Sequence, residues 1–429
     1  MRLTAQERQM LGGGEGAAVQ KAMRIVVALA EIYEAQELVP VASAQVAGVS
    51  YKNLGDAGLE FLEDWAAPQI GCPTRRPSRP DGEGARVRVP AFMNPAGMDL
   101  ERWQEMGIQP EFARQQQRVV RSLSSMGVVP TCTCTPYLVG YAPRAGEHLA
   151  WSESSAVSYA NSVLGAYTNR EGGPSALAAA IVGRTGAYGL HLTRNRQATH
   201  VVKVACGLNN EADFGALGYW VGKQIMDGVP FFQLGQSGRQ SRPRQEQLMA
   251  LGAAMAASGA VALYHIEGVT PEAGQAVPDG AKLPALAIPD LTEAYCELNS
   301  ALDEVDFVSI GCPHSTLGDI ERVAAMLDGK QVRATLWVTT SRHVCAVAQK
   351  HGWVARIEAA GGKVFADTCL VVAPVEEIGF RAMATNSAKA AFYGPAHSGL
   401  QRRFGTTEQC VAAAITGRWT GTTGDASPK

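Results

Sequence analysis

In the last third of the chain, short β-rich runs alternate with amphipathic helical stretches, and this alternation restricts the fold more tightly than any other feature. Residues 305–310 read as strand, 317–327 as helix, 331–338 as strand, 344–360 as helix and 363–372 as strand. Strands separated by helices call for crossover connections, which predicts an α/β fold of parallel or mixed sheets flanked by helices. The same grammar runs upstream, with strand over 87–92, helix over 111–126 (Phe112, Val119, Val120 and Leu123 on one face) and strand over 128–133. At the start, Thr4 and Glu7 have capping-box spacing, and residues 17–33 continue with helical periodicity. Gly12, Gly13 and Gly14 follow no strand, so they read as a turn between helices rather than a phosphate loop.

A chain of 429 residues with 46% hydrophobic and 18% charged residues can fill several cores, and at roughly 100–200 residues per domain two to four domains are expected. The Gly- and Pro-rich stretch 268–284 reads as a linker. It would separate an N-terminal α/β region, 1–267, of two subdomains from a C-terminal α/β domain, 285–416, followed by a flexible tail, 417–429. With 38 basic and 40 acidic residues, net charge -2, there is no general attraction to nucleic acid or an anionic membrane. The first ten residues lack an apolar signal core, and the weakly polar run 251–266 is too short to span a bilayer. Nine cysteines are too dilute for a disulfide scaffold, and the odd count fits a reducing compartment. A soluble, cytoplasmic protein is expected.

Ligands of open α/β sheets gather where strands end, and three cysteines occupy such places: Cys134 after 128–133, Cys312 in IGCPH and Cys369 in VFADTC. Three convergent thiolates suit an iron-sulfur cluster or a mononuclear iron, with a missing fourth ligand leaving room for substrate oxygen. The alternative is that each is a small buried hydrophobe. Cys206, Cys296, Cys345 and Cys410 read as packing residues, Cys72 as an exposed thiol, and Cys132 as an auxiliary ligand or a passive neighbour on the face of Cys134.

Polar residues in turn-like segments form a second set. Ser50 lies in AGVSYKN, Asn94 in FMNPAGMD, and Glu153 with Ser154 in WSESSAV. Glu153 is an acid/base candidate or a carboxylate favouring a helix start. Thr385, Asn386 and Ser387 precede an Ala-rich helical stretch, so they are either an ordinary cap or an anion site with Lys389 nearby. His314 would polarise a substrate or orient a loop.

Taken together, VSYKNLGDAGLEFLED, NPAGMD, TCTPYL, HLAWSESSAVSYANSVLGAYTNREGGPSALAAAIVGRT, ALYHIEGVTPE, GCPH, DTCLVVAP and ATNSAKAAFY resemble the catalytic large subunit of the aconitase X family. The resemblance runs from near residue 4 to about residue 395. It implies an aconitase-like, multi-domain α/β hydro-lyase with an iron-containing centre ([4Fe-4S], [2Fe-2S] or one iron). The family's ligands correspond to Cys134, Cys312 and Cys369, and its substrate contacts to Gly48, Val49, Ser50, Asn94, Pro95, Glu153, Ser154, Thr385 and Asn386. Lys389 is an addition from the residues themselves.

Such enzymes are expected to dehydrate small-molecule 3-hydroxy acids: (R)-5-phosphomevalonate, to trans-anhydromevalonate 5-phosphate, or cis-3-hydroxy-L-proline. TCTPY, SESSAV and GCPH occurring together favour the phosphomevalonate type. Membership also implies a short second subunit, or a fused C-terminal domain, that closes the cleft and brings a serine; with this sequence ending at Lys429, a separate small subunit is expected. Two readings from other classes stand beside this one. A zinc hydrolase would want H-E-x-x-H, which does not occur, and a non-catalytic metal-binding or scaffold protein would keep the cysteines for packing.

Overall fold

The computed structural model describes residues 1–67, 84–235 and 242–420. A three-stranded parallel sheet, in the spatial order Ala91–Met93, Ala44–Val46, Ala150–Trp151, belongs to the N-terminal part of the chain. An antiparallel pair, Leu38–Pro40 with Arg184–Gly186, lies in the same part. Next comes a four-stranded parallel sheet, ordered His265–Ile266, Pro230–Leu234, His200–Val204, Ala285–Ile288. The third is five-stranded and parallel, ordered Lys363–Ala366, Thr335–Thr340, Phe307–Ile310, Ala382–Thr385, Gln401–Phe404. The α/β class with parallel sheets flanked by helices is thus the observed one.

In the five-stranded sheet the first strand in sequence, Phe307–Ile310, is the central one, and the chain winds outward from it in both directions. All four of its residues are buried, as a strand covered on both faces requires. Strand order reverses between it and Ala382–Thr385, so the crevice at their carboxyl ends is the place where a ligand can enter without disturbing the core. Gly311-Cys312 emerges there.

Local chemistry sets the element ends. The capping box of Thr4 and Glu7 forms, and helix Ala5–Leu11 is followed by the Gly12–Gly14 turn and helix Ala17–Ile32. Helix Pro110–Ser125 starts on Pro, whose missing N–H costs nothing there, and buries Phe112, Val119 and Leu123 while Val120 is half-buried. Residues 128–133 do not form a strand. Val129 makes an isolated bridge to Phe92, Pro130 has no N–H to donate, and Cys132 at φ 42 turns the chain away. The strand expected over 87–92 is Ala91–Met93. The expected helix 344–360 is two helices, Arg342–Lys350 and Trp353–Ala359, divided at Gly352, whose φ of 76 suits only a residue without Cβ. The strand expected to run to Val372 ends at Ala366, because Asp367 has φ 67.

Within the stretch 268–284 the short helix Ala273–Ala276 packs Ala273 and Ala276 with Ala198 and Phe231. Of the residues after 416, Trp419 packs against the C-terminal core and donates its N–H to Asp303 O, 2.7 Å. Among the described residues, no helix is long and apolar enough to cross a membrane.

One partly buried polar contact lies just before strand Ala150–Trp151. His148 Nδ1 lies 2.9 Å from His191 Nδ1, against Tyr167. One nitrogen must carry the hydrogen and the other accept it, so the contact is lost if both rings are protonated. Burial, then the neighbouring His148 and Arg196, hold His191 down at about 3, and burial lowers His148. The unfolded chain takes up protons near the ordinary value of about 6.5, so it binds more protons than the folded chain below that pH. Stability should therefore be complete above about pH 6.5 and fall as the pH drops toward 4. Denaturant midpoints measured at stepped pH should show this decline, and His191→Gln should make it shallower.

Candidate active site

Cys134, Cys312 and Cys369 line one cavity of about 260 Å³. Cys312 follows Gly311, whose φ is 112 and where a Cβ would lie 2.1 Å from Thr339 O, so only glycine lets the chain leave the sheet by this route. Cys134 and Cys369 are each only 6% exposed. Among the described residues no group of three or more His, Cys, Asp or Glu is arranged to hold a single metal ion. Burial pushes all three thiols up, Cys369 to about 12.

His314 joins the three cysteine loops. Its backbone N–H donates to Cys134 Sγ at 3.2 Å. Its Nε2 is 3.0 Å from Thr368 O, beside Cys369, and a carbonyl only accepts, so Nε2 carries the hydrogen. Nδ1, 3.0 Å from Thr133 Oγ1, must then accept from that hydroxyl. Burial lowers the ring's pKa to about 4, consistent with this neutral tautomer. Of the two roles expected for His314, the geometry supports loop orientation, since both ring nitrogens are engaged by protein.

The same cavity is lined by a buried ion pair. Lys389 Nζ is 2.5 Å from Glu153 Oε1, and it also reaches Ser154 Oγ at 3.2 Å and Ser155 Oγ at 3.4 Å. Glu153 caps helix Ser154–Ser162 by accepting Ala156 N–H at 2.7 Å, and accepts Ser155 Oγ at 2.5 Å. Burial opposes the charge on Glu153, but Lys389 and these donors outweigh it and its pKa is lowered. Burial likewise opposes the charge on Lys389, yet Glu153 and then Cys312 and Cys134 raise its pKa. Of the two expectations for Glu153, the helix start is observed, and the carboxylate that was the acid/base candidate lines the cavity bound to Lys389.

Gly48, Val49, Ser50, Asn94 and Pro95 also line the cavity. Gly48 has φ 75. Ser50 Oγ donates to Val372 O at 2.7 Å, so its hydroxyl ties the loop before helix Tyr51–Ala66 to the Cys369 loop. Asn94 Oδ1 is buried with no protein partner among the described residues. Thr385 and Asn386 are not brought to this cavity. Thr385 is fully buried and accepts Ser387 N–H, while Asn386 donates to Thr407 Oγ1 at 3.0 Å and lines a separate space of about 50 Å³ beyond Cys312. Ser387 itself caps helix Ala388–Ser398, so the ordinary-cap reading of that segment describes it.

Several lining residues were passed over in the sequence: Ser152, Arg170, Tyr393 and His397. Ser152 and Arg170 sit inside the long motif that carries the family resemblance, which was the available signal. A second arrangement had none. Arg342 donates to Asp99 at 2.8 Å and through Nε to Asp367 at 3.0 Å. Asp367 O accepts Ala96 N–H at 2.7 Å, so this clasp joins the loop after Asn94-Pro95 to the loop carrying Cys369. Burial first, and Asp99 further, raise Asp367 to about 6 despite Arg342.

Cys132 is fully buried in the N-terminal core and does not line the cavity. Cys206 and Cys345 are half-buried and Cys410 buried, whereas Cys296 is exposed on helix Thr292–Glu297 and is not a packing residue. Cys72 lies outside the described residues.

Family models described as the first, second and third domains of aconitase X match residues 1–194, 198–290 and 305–416. The phosphomevalonate dehydratase large subunit of Methanothermobacter thermautotrophicus is 51% identical over 395 residues, 92% of this chain and 94% of that protein. The protein of the same name from Methanocaldococcus jannaschii is 45% identical, covering 96% and 99%. The cis-3-hydroxy-L-proline dehydratase of Pseudomonas aeruginosa is 36% identical, covering 97% of this chain and 70% of that protein. The crystal structure of Thermococcus kodakaraensis aconitase X in its holo form superposes with a TM-score of 0.85 at 43% identity, covering 96% of this chain and 100% of that one.

The buried pair makes a direct prediction. Lys389→Met leaves Glu153 buried and uncompensated, which should lower the unfolding free energy by about 3 to 5 kcal/mol. Adding Glu153→Gln should recover part of that loss, because the stranded charge is gone. Urea denaturation of the two variants measures both effects.

Proposed function

The chain belongs to the aconitase X family, and from that premise we propose that it is the large subunit of a hydro-lyase converting (R)-5-phosphomevalonate to trans-anhydromevalonate 5-phosphate. The observation that carries the reading is the single cavity walled by Cys134, Cys312, Cys369 and the Glu153–Lys389 pair. The choice of substrate rests on the relatives. Those called phosphomevalonate dehydratase large subunit align along nearly their whole length, while the hydroxyproline enzyme is more distant and extends well beyond the aligned part.

The donor set fits an iron-sulfur centre. Cysteine sulfurs are the usual ligands of such clusters, and three cysteines lining one cavity suit a centre whose irons take different cysteines. The raised thiol pKa values mean that these groups stay protonated unless a cation compensates their charge, which bound iron does. When bound, the centre supplies Lewis acidity for a departing hydroxyl.

The chain's own residues bind and orient. Dehydration removes a proton alpha to a carboxylate and a hydroxyl from the adjacent carbon, so negative charge grows toward the carboxylate. The Lys389 ammonium, kept charged and held in place by Glu153, lines the cavity as a fixed hydrogen-bond donor whose charge that carboxylate already matches. Asn94 Oδ1 is a free acceptor for a substrate hydroxyl. Glu153 is committed to Lys389 and the cap of its own helix, which leaves proton abstraction to another group. A serine from a separate small subunit, seated over the cavity, is the proposed source. A cytoplasmic location belongs to the same reading, since free thiols need a reducing compartment.

The test is to purify the chain anaerobically with its small partner, measure iron and sulfide, and assay both substrates. Dehydration of (R)-5-phosphomevalonate, weak or absent without the partner, is expected; preference for cis-3-hydroxy-L-proline overturns the substrate assignment. Cys134→Ser, Cys312→Ser and Cys369→Ser should each lose bound iron and turnover while staying folded. Cys410→Ala should keep both, at a stability loss of about 1 kcal/mol.

A further inference from the structure

Arg170 lines the cavity but is itself exposed, whereas two of the three thiols are almost fully buried, so the guanidinium belongs to the rim and the sulfurs to the floor. The backbone around it is fixed on both sides. Asn169 donates to Tyr188 O at 3.1 Å and accepts Leu190 N–H at 2.8 Å. Glu171 N–H donates to Trp151 O at 2.9 Å, and its buried carboxylate accepts Ser175 at 2.6 Å and Thr185 at 3.0 Å. Gly173 then presses so closely on the turn before Gly48 that a Cβ there would lie 2.4 Å from Ala47 O. Arg170 is thereby anchored beside the Gly48–Ser50 segment.

Its charge is uncompensated. Arg88, Arg184 and Arg196 pair with Glu15, Glu7 and Glu272; among the described residues Arg170 is in no ion pair. On the cavity wall Glu153 and Lys389 cancel each other, which leaves Arg170 as the net cation of the lining. If the reacting carboxylate and hydroxyl lie by the thiols, the distal end of a phosphorylated substrate points to the rim.

We propose that Arg170 binds the phosphate of the substrate and is the residue by which the cavity tells a phosphorylated 3-hydroxy acid from its unphosphorylated counterpart. This rests on the reaction proposed above and adds the group that reads the phosphate. A guanidinium meets phosphate through two parallel charged hydrogen bonds, which an ammonium cannot reproduce.

The experiment uses the iron-loaded complex with the small partner and measures, by calorimetry, dissociation constants for (R)-5-phosphomevalonate and (R)-mevalonate, together with kcat and KM. Arg170→Met should weaken (R)-5-phosphomevalonate about tenfold or more, raise KM with kcat little changed, and leave (R)-mevalonate within about twofold. Arg170→Lys should recover part of the loss. Equal weakening of both ligands, or of neither, overturns the assignment. Arg170 is exposed, so an unchanged thermal midpoint shows that the variant is folded. A wild-type complex that binds (R)-5-phosphomevalonate without dehydrating it refutes the proposed reaction yet leaves the Arg170 comparison decisive, and one that does not bind it overturns both.

Discussion

The ion pair between Glu153 and Lys389 is the contact on which the arrangement of the cavity depends. Removing two charges from water costs several kcal/mol for each ion, and attraction repays this only when the remaining hydrogen-bonding capacity is also satisfied. Here it is: Glu153 gains Ala156 N–H and Ser155, and Lys389 gains Ser154 and Ser155. The satisfied pair locks the start of helix Ser154–Ser162 to helix Ala388–Ser398, segments 235 residues apart. The starts of both helices line the cavity, so the pair fixes that part of its wall.

Two further polar devices hold the rest of the wall. His314 links the loops of Cys134, Cys312 and Cys369 through its backbone and both ring nitrogens. The Arg342 clasp fixes the segment after Asn94-Pro95 to the Cys369 loop through two carboxylates that are each 2% exposed. In each case a polar side chain with several partners fixes loops that line the cavity. Rigid placement of this kind lets an active site act without reorganising at the moment of reaction.

Much of this was legible in the amino-acid order. The strand–helix alternation announced parallel sheets because it follows from local periodicity, and Cys312 leaves the end of its strand where ligands of such sheets gather, whereas Cys134 and Cys369 reach the same cavity from turns rather than from strand ends. The misses have physical causes. Residues 128–133 look β-rich, but Pro130 and the positive φ of Cys132 override propensity, and the same turn removes Cys132 from the face of Cys134. Asn386 heads a helix as an anion site would, yet the cap is Ser387, which accepts Ala390 N–H, and Asn386 turns to Thr407. Arg342 reaches Asp99 across 243 residues, and a lone arginine in a loop, such as Arg170, carries no periodic signature at all. Partnerships between distant single residues leave no trace in windows of ten or fifteen.

The crossover topology also has a consequence for synthesis. Cavity residues are scattered from Gly48 to Lys389, and the central strand of the five-stranded sheet enters before both of its neighbours. While the nascent chain emerges, the early sheets can collapse around their own cores, but the ammonium that neutralises Glu153 follows it by 236 residues. Contacts of such high sequence separation form late and leave apolar surface open meanwhile, so translation must pass Lys389 before the pocket exists in any form able to receive metal or substrate.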